Sequence, residues 1–491
     1  MSERRSGLFL GIDIGTSGIK AVLVDVARRT LAEATVPIGI SRPHPLWSEQ
    51  DAEDWWQAVE VAGASLKRQA PDAFARIAAI GLSGQMHGAV ILGHDHRPLR
   101  PVMLWNDGRA SAEAAELQVQ YPDLAGQLGV LPMAGLTFPK LLWLARHEPE
   151  TFAAIDCLLL PKDYIRLKLT GELASDMSDA AGTWGFDQAY RTWSDEAAYV
   201  IGLDASALPR LVEGTEITGI VRPEIAARWG LSSAVLVAGG GGDAAVGAVG
   251  IGAINEGASF VSLGTSCQLV RVGSSYRPNV ESLVHAFAHA VPERWYQMGA
   301  MLNGASVLAW GAQQLGREVS DLVGEVEAHF TGPSHLLALP YLAGERTPHN
   351  NPDAKGAIIG LTSTTSPQEI AQALMEAVAF SLADADLALG PAADDTAPIA
   401  AIGGGARSEL WMQMIAAVLN RPIVRYRGAD KGPAFGASLL ARVALTGEDI
   451  EEVAVPPDVA DVTEPDERLV EAYQPRLEAF RRLYKVLKGE I

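Results

Sequence analysis

Cysteine is scarce in this chain of 491 residues, which contains only Cys157 and Cys267. Two cysteines do not provide the disulfide framework of a small secreted scaffold, so the sequence predicts a protein of the reducing cytoplasm. No histidine and cysteine cluster has the spacing of a zinc site. Cys267 follows a glycine turn, where we expect a small buried residue rather than a nucleophile.

Positive charge and long apolar runs are also limited. The 39 Lys and Arg residues stand against 59 Asp and Glu, for a formal net charge of −20. No basic block stands out, which argues against a nucleic-acid or acidic-membrane partner. No run of about 18 residues is free of charge or glycine, so no membrane span is expected. Asp13 interrupts the first apolar stretch after residues 1–6, so no signal peptide is expected.

A Gly-Thr-Ser turn occurs twice, about half a chain apart. The first copy follows Asp13 and includes Thr16 and Ser17, and the second is Gly264-Thr265-Ser266. Each copy lies between two apolar segments with the character of strands, and each turn directs backbone N–H groups and hydroxyls to one place. Either copy alone is more typical of a simple hairpin turn, whereas the pair favours two halves that grip one polyphosphate.

Strands and helices alternate in both halves, which predicts an α/β protein with domains at residues 7–254 and 255–491. The pattern predicts five segments individually. Helices are predicted at Ser366–Leu389 and Glu409–Leu419, a strand at Ile399–Ile402, a helix that begins at Pro475, and a surface linker at Pro456–Asp466.

Two carboxylates lie at the ends of predicted strands. Asp13 precedes the first glycine turn, where a carboxylate can hold Mg²⁺ against a triphosphate or, alternatively, cap the loop. Asp243 ends a run of four glycines, where it can accept the proton of a hydroxyl that attacks a phosphoryl group. An N-cap for the following helix is the structural alternative for Asp243, and both roles are compatible.

Three further segments are polar enough to bind a ligand, although none is specific alone. Gln85-Met86-His87 offers two hydrogen-bonding side chains for sugar hydroxyls and a thioether for a carbon chain. Trp105-Asn106-Asp107-Gly-Arg109 is a polar cluster at a strand end. A glycine triplet that includes Gly404 and Gly405 precedes a predicted helix and can receive a nucleotide.

Together these segments resemble the FGGY carbohydrate kinases along nearly the whole chain, and most closely the bacterial members that phosphorylate xylulose. The resemblance rests on the following segments of this sequence: Asp13-Ile-Gly-Thr-Ser17, Ser41-Arg-Pro-His-Pro-Leu-Trp-Ser-Glu-Gln50, Gly84-Gln-Met-His-Gly88, Trp105-Asn-Asp-Gly-Arg109, Pro139-Lys-Leu-Leu-Trp143, Leu160-Pro-Lys-Asp-Tyr164, Ser175-Asp-Met-Ser-Asp-Ala-Ala-Gly182 and Gly356-Ala-Ile-Ile-Gly-Leu361.

The resemblance implies a duplicated actin-like, ribonuclease H-like fold of two domains with ATP in the cleft between them. It implies transfer of phosphate from ATP to D-xylulose, with Asp243 as the base and Asp13 near Mg²⁺. Binding residues for the ketose and for ATP follow from the same resemblance. The ketose residues are Gln85, Met86, His87, Trp105, Asn106, Asp107 and Arg109, and the ATP residues are Thr16, Ser17, Gly264, Thr265, Ser266, Gly304, Gly404 and Gly405. Members are often dimers, which suggests a homodimer.

Two positions depart from the family pattern, and three alternatives stay open. Ala244 stands where similar members carry Asn, and Cys267 stands where glycine is usual. The alternatives are a kinase for another ketose or polyol such as ribulose, an actin-like or chaperone-type ATPase, and a catalytically weak sugar sensor.

Overall fold

Each half of the chain forms a seven-stranded mixed sheet in the computed structural model, which describes residues 7–232, 234–428 and 432–489. In both halves the strands on either side of the Gly-Thr-Ser turn pair antiparallel, with Phe9 opposite Val24 and Ser259 opposite Arg271. The first strand of each half also pairs in parallel with a strand far along the chain. The two halves therefore repeat one topology.

In each sheet, five strands can be numbered first to fifth by their order in the chain. Across the sheet, these five lie in the order third, second, first, fourth and fifth. In the first sheet, these strands are Thr30–Pro37, Gly18–Val24, Leu8–Ile14, Ile77–Gly84 and Leu236–Ala238, with Ile217–Ile220 beyond the last and Gly241–Gly242 pairing with the fourth. In the second sheet, they are Trp295–Met301, Cys267–Gly273, Ser259–Leu263, Ile399–Ile402 and Ile423–Tyr426, flanked by Val284–Ala288 and Val459–Thr463.

Short strand pairs and helices surround these sheets. The short pairs are Glu49–Gln50 with Val102–Met103, Val90–Leu92 with Cys157–Leu159, Ala174–Asp176 with Arg210–Val212, Phe186–Asp187 with Thr192–Trp193, and Leu337–Leu339 with Ala357–Ile359. The α-helices of the first half are Ala52–Gln69, Pro71–Phe74, Ser111–Gln120, Leu124–Leu128, Thr137–His147, Pro149–Ala153, Pro161–Thr170, Met177–Ala180, Asp195–Ile201, Pro223–Trp229 and Asp243–Gly250. Those of the second half are Ala305–Gln314, Val319–His329, Pro367–Leu389, Glu409–Leu419, Gly432–Thr446, Ile450–Val453 and Glu467–Leu487.

Two small-residue helices interlock the halves. Helix Gly432–Thr446 lies in the chain between the last two strands of the second sheet but packs on the first sheet, where a Cβ added to Gly11 would lie 1.8 Å from the Ala434 carbonyl oxygen. Helix Asp243–Gly250 packs against the same helix, and a Cβ on Gly436 would lie 2.0 Å from the Val246 oxygen. Because backbones touch at these points, only glycine fits without displacing a helix.

Two predictions for the C-terminal region are wrong. The last helix begins at Glu467, capped by Asp466, and Pro475 lies inside it rather than in its first turn. Burial of Tyr473 and Leu477 on either side of the proline continues the apolar face, which offsets the hydrogen bond that Pro475 cannot donate. The segment predicted as a linker contains the partly exposed edge strand Val459–Thr463.

The compositional expectations can be compared with the described part of the chain. Both cysteines are free and buried, which confirms the prediction for Cys267. No helix within residues 7–232, 234–428 and 432–489 is both long and apolar enough to cross a membrane. Residues 1–6, for which no signal peptide is predicted, lie outside the described residues.

Candidate active site

Asp243 is the first residue of a helix, directly after the short strand Gly241–Gly242 at the end of the first sheet. Its Oδ1 accepts a hydrogen bond of 2.8 Å from the backbone N–H of Ala244. Burial raises the pKa of Asp243 from 3.8 to about 6, and the same hydrogen bond opposes the rise. The contact comes from the backbone, so the departure at position 244 leaves this orientation of the carboxylate intact. A carboxylate with such a pKa suits proton acceptance near neutral pH.

The glycine loop before Asp243 is held by buried side chains that the sequence analysis did not single out. Arg166 donates to the carbonyl oxygens of Ala238 and Gly239 at 2.8 and 2.6 Å. The backbone N–H of Gly242 donates to Ser178 Oγ at 3.1 Å. These contacts fix the backbone on both sides of a turn that places Gly240 at φ +71°.

Behind that loop lies a fully buried ionic cluster centred on Lys162. Its ammonium is 2.5 Å from Asp163, 2.8 Å from Asp176 and 3.2 Å from Asp179. Burial alone would lower the pKa of Lys162, but the three carboxylates outweigh it and raise the pKa. Burial raises the pKa of Asp179 well above its ordinary value, against the attraction of Lys162. The motifs that contain these residues contribute to the family resemblance, but neither charge nor spacing revealed that they pair.

Asp13 lies at the end of the first strand, in register with Ser83 on the neighbouring parallel strand. Its Oδ1 is buried and has no hydrogen-bond partner among the described residues. Burial raises the pKa of Asp13 to about 7, with the negative charge of Asp243 as the second cause. The negative charges of Asp13 and Asp243 repel each other, and one oxygen of Asp13 has no hydrogen-bond partner among the described residues. A cation bound there would relieve this repulsion.

The first Gly-Thr-Ser turn meets the predicted sugar segment. Thr16 Oγ1 donates to Gln85 Oε1 at 2.8 Å and accepts from the Trp105 indole at 2.9 Å. Gln50, which the residue-by-residue chemistry missed, links the same groups, because its Nε2 donates to the Thr16 carbonyl and its Oε1 accepts from Gln85 Nε2. The Thr16 hydroxyl is therefore engaged within the protein, whereas Ser17 is exposed.

Met86 and His87 follow strand Ile77–Gly84 and lie beside the glycine loop that precedes Asp243. Met86 is buried, and a Cβ on Gly242 would lie 2.9 Å from its Cγ. His87 has φ +71°, and its Nδ1 is 2.6 Å from the Gly182 carbonyl oxygen. Since a carbonyl only accepts, Nδ1 carries the proton and Nε2 is an acceptor. Burial lowers the pKa of His87 to about 3, so the ring is neutral.

The Trp105 to Arg109 cluster divides into an exposed part and a buried part. Trp105 and Asn106 are exposed. The Arg109 guanidinium is 3.5 Å from the centre of the Trp47 ring and pairs with Asp107 at 2.7 Å and Glu49 at 2.6 Å. Asp107 and Arg109 therefore hold the segment around Trp47 in place and have their charges satisfied inside the protein.

The predicted nucleotide residues of the second half meet at one end of the second sheet. The backbone N–H of Gly304 donates to the Thr265 carbonyl at 3.1 Å, and a Cβ on Gly304 would lie 2.4 Å from the Ser266 oxygen. A Cβ added to Gly405 would be similarly close to the side chain of Leu263, which precedes the second Gly-Thr-Ser turn. A Cβ on Gly404 would meet open space. Three separate glycine segments thus meet at one surface, where Gly404 is exposed and Gly304 and Gly405 are buried.

A cavity of about 280 Å³ lies between the two halves beside Asp243. Asp243 and Ala244 line it from the first half, and Phe260, Ser262 and Gln268 line it from the second. The general base predicted from sequence therefore faces an interdomain space next to the strands that carry the second Gly-Thr-Ser turn.

The chain belongs to the FGGY family of carbohydrate kinases. Residues 8–250 match the model of the N-terminal domain of that family, and residues 259–445 match the model of its C-terminal domain. The fold is the duplicated actin-like fold of sugar kinases, as predicted from the resemblance.

Relatives of known name are similar over nearly their whole length. The xylulose kinase of Escherichia coli K12 is 45% identical over 482 residues, covering 98% of this chain and 99% of the relative. That of Klebsiella pneumoniae is 44% identical over 483 residues, with 98% and 99% coverage. The crystal structure of a Brucella ovis protein titled "xyloylose kinase" has a TM-score of 0.96 at 44% identity, covering 99% of this chain and 100% of that one.

Proposed function

We propose that this protein transfers the γ-phosphoryl group of ATP to D-xylulose, giving D-xylulose 5-phosphate, with Asp243 as the general base. The observation that supports the base most directly is the half-buried carboxylate of Asp243, which lines the cavity between the halves and whose pKa is raised by desolvation to about 6. The names of the relatives at 45% and 44% identity support the choice of sugar.

In this proposal, the ketose lies between the glycine loop and the Met86-His87 segment. The Nε2 of His87 accepts a hydrogen bond from one hydroxyl, because its Nδ1 proton is already used by Gly182. Met86 packs against the apolar face of the carbon chain. The terminal hydroxyl attacks the γ-phosphorus, the bond to ADP breaks, and Asp243 takes the hydroxyl proton. Gln85 and Trp105 act on this pocket through Thr16, and Asp107 and Arg109 hold its wall, while Asn106 remains a candidate contact.

ATP binds across the cleft in this proposal. Backbone N–H groups and hydroxyls of the two turns and the glycine segments receive the phosphates, and these residues are Thr16, Ser17, Gly264, Thr265, Ser266, Gly304, Gly404 and Gly405. The convergence of the second-half residues at one end of the second sheet supports their part of this assignment.

Asp13 is the proposed protein ligand for Mg²⁺. Among the described residues, no three His, Cys, Asp or Glu side chains form a metal cage. Mg²⁺ commonly uses one or two carboxylates with water and phosphate oxygens, and the free buried oxygen of Asp13 fits that pattern. When bound, the ion would neutralise negative charge on the phosphates. A cytoplasmic location and a homodimer are also proposed, on the cysteine content and the family respectively.

The decisive experiment measures ADP release with Mg·ATP and a panel of D-xylulose, L-xylulose, D-ribulose, L-ribulose and glycerol. We expect a strong preference for D-xylulose, and a loss of about 10²- to 10⁴-fold in kcat for Asp243→Asn. Best turnover on another sugar would keep the kinase and change its substrate. ADP release that ignores every sugar would overturn the proposal and favour the ATPase alternative.

A further inference from the structure

His285 is a buried histidine of the second half whose ring makes no hydrogen bond to the described part of the chain. It lies in the edge strand Val284–Ala288, and only 4% of its surface is exposed. Neither Nδ1 nor Nε2 has a partner among the described residues. A neutral imidazole contains one donor and one acceptor, so burial of both without a partner is unfavourable. A ligand hydroxyl, which both donates and accepts, would satisfy one of these two nitrogens in either tautomer.

The strand of His285 lies against the part of the first half that holds His87. The backbone N–H of Ala288 donates to Gln188 Oε1 at 2.9 Å, and Gln188 Nε2 donates to the Ala181 carbonyl at 2.9 Å. The next residue, Gly182, accepts the bond from His87. A single turn at residues 181–183 therefore connects the predicted sugar contact to the strand that carries His285.

Electrostatics indicate the same neighbourhood. Burial lowers the pKa of His285 well below its ordinary value, and the positive charge of Arg346 lowers it further. The charge of Arg346 also lowers the pKa of His87. Arg346 and His285 thus belong to the surroundings of His87, although both come from the second half.

Arg346 belongs to a polar loop, residues 344–351, for which the sequence analysis gave no role. The loop is fixed on the strands that flank His285. Thr347 Oγ1 donates to the Leu283 carbonyl at 2.8 Å and accepts from the Ala300 N–H at 3.0 Å. Glu345 accepts from the backbone N–H of Arg346 itself at 2.8 Å. These bonds hold the backbone at Arg346 beside the edge strand and leave its guanidinium in the field of both histidines.

We propose that His285 is a sugar-binding residue supplied by the second half, which hydrogen-bonds a ketose hydroxyl near His87. This inference rests on the proposed function and adds a contact that crosses the cleft. His285 belongs to the half that carries the glycine segments proposed to bind ATP. A hydrogen bond from His285 to the sugar therefore makes closure of the cleft between the halves depend on which sugar is bound. A sugar without the matching hydroxyl leaves the ring unsatisfied and closes the cleft less well.

The test compares His285→Phe and His285→Gln with wild type, using D-xylulose and its singly deoxygenated analogues. We expect His285→Phe to raise the KM for D-xylulose about 10- to 100-fold, with the KM for ATP changed less than twofold. In wild type one deoxy analogue should bind worse than D-xylulose, and His285→Phe should lose that discrimination. Gln retains a donor and an acceptor and should restore part of the affinity.

His289→Phe is the matched control. His289 is also fully buried and lies four residues away, but its Nδ1 accepts from the Val291 N–H at 3.1 Å and its ring lies against Tyr296. We expect this variant to lose stability while it keeps the wild-type ratio between D-xylulose and each deoxy analogue. Equal loss of discrimination in both variants, or unchanged discrimination in His285→Phe, would overturn the inference.

A measurement on the intact protein covers the case in which the variants do not fold. In ¹⁵N-histidine spectra of wild type, D-xylulose without nucleotide should shift the ring nitrogens of His285, and no such shift would overturn the inference. The proposed function is tested separately, since wild-type protein that turns over D-xylulose sustains it whatever His285 does. Wild-type protein that phosphorylates none of the ketoses would overturn the proposed function itself.

Discussion

The Lys140 ammonium donates to the main-chain carbonyl of His87 at 2.9 Å, deep inside the first half. Lys140 is fully buried and also donates to the Met103 carbonyl at 3.1 Å. His87 itself has a left-handed backbone, which is strained for a residue other than glycine. Lys140 therefore stabilises the backbone conformation that points the proposed sugar contact toward its ligand, and it is a positioning residue.

Replacing this lysine should weaken sugar binding more than it slows chemistry. We expect Lys140→Met to raise the KM for the ketose about tenfold with a smaller change in kcat, because two carbonyls lose a charged donor. Lys168→Met is the control, since Lys168 is also a lysine on this half but pairs with Glu53 near the surface. A KM that rises equally in both variants would contradict the role of Lys140.

The same lysine gives a dependence of stability on pH. Burial lowers the pKa of Lys140 from 10.5 to about 7, with the charge of Arg109 acting in the same direction and that of Asp107 against it. Between pH 7 and 10 the unfolded chain holds this proton more tightly than the folded protein, so this group's contribution to stability rises with pH. The melting temperature of wild type relative to Lys140→Met should therefore increase across that range, and a constant difference would contradict this pKa.

The sequence predicted the regular elements best where local pattern and tertiary packing agree. Ile399–Ile402 and Glu409–Leu419 have the predicted bounds, because a buried apolar strand and a helix with a Ser408 cap each carry their signal locally. Strand Val459–Thr463 was missed because it is stabilised by pairing with a distant strand rather than by its own composition.

The sequence indicated candidate site residues but not the contacts between them. The resemblance selected Asp107 and Arg109, but it did not indicate that these charges satisfy each other and Glu49 below the surface. Lys162 and its three carboxylates are separated by up to seventeen positions, and the fold brings Asp176 and Asp179 to the Lys162 ammonium. Such pairings depend on tertiary structure, which one sequence does not display.

The ionised carboxylate of Asp13 is predicted to lower the stability of the folded protein while it supports kinase activity. Its folded pKa of about 7 lies above its ordinary value of 3.8, so its contribution to stability is greatest below pH 4 and is lost as pH rises through 7. Asp13→Asn removes the buried charge and should raise the melting temperature at pH 8 by a few degrees while it greatly lowers kinase activity. A variant that melts lower than wild type at pH 8 would show that the carboxylate is not destabilising.

The rate should depend on pH through Asp243. With a pKa of about 6, this carboxylate accepts a proton only when ionised, so kcat/KM should fall as pH decreases below 6. His87 stays neutral over this range and should not contribute, which predicts the same acidic limb in His87→Gln. The residual kcat/KM of Asp243→Asn should not fall as pH decreases below 6. If it still falls in this variant, the titration belongs to another group.

The interlocked helices lead to a prediction about glycine. Gly436→Ala would place a Cβ 2.0 Å from the Val246 oxygen, so helix Asp243–Gly250 must move and carry its first residue, the proposed base, with it. We expect a lower melting temperature and a loss of activity. Gly324→Ala is the matched control, because Gly324 is an exposed glycine of helix Val319–His329 with open space around it. That change should stabilise the helix by ~1 kcal/mol and leave activity unchanged. Wild-type activity and stability in Gly436→Ala would mean that the two helices are not in backbone contact.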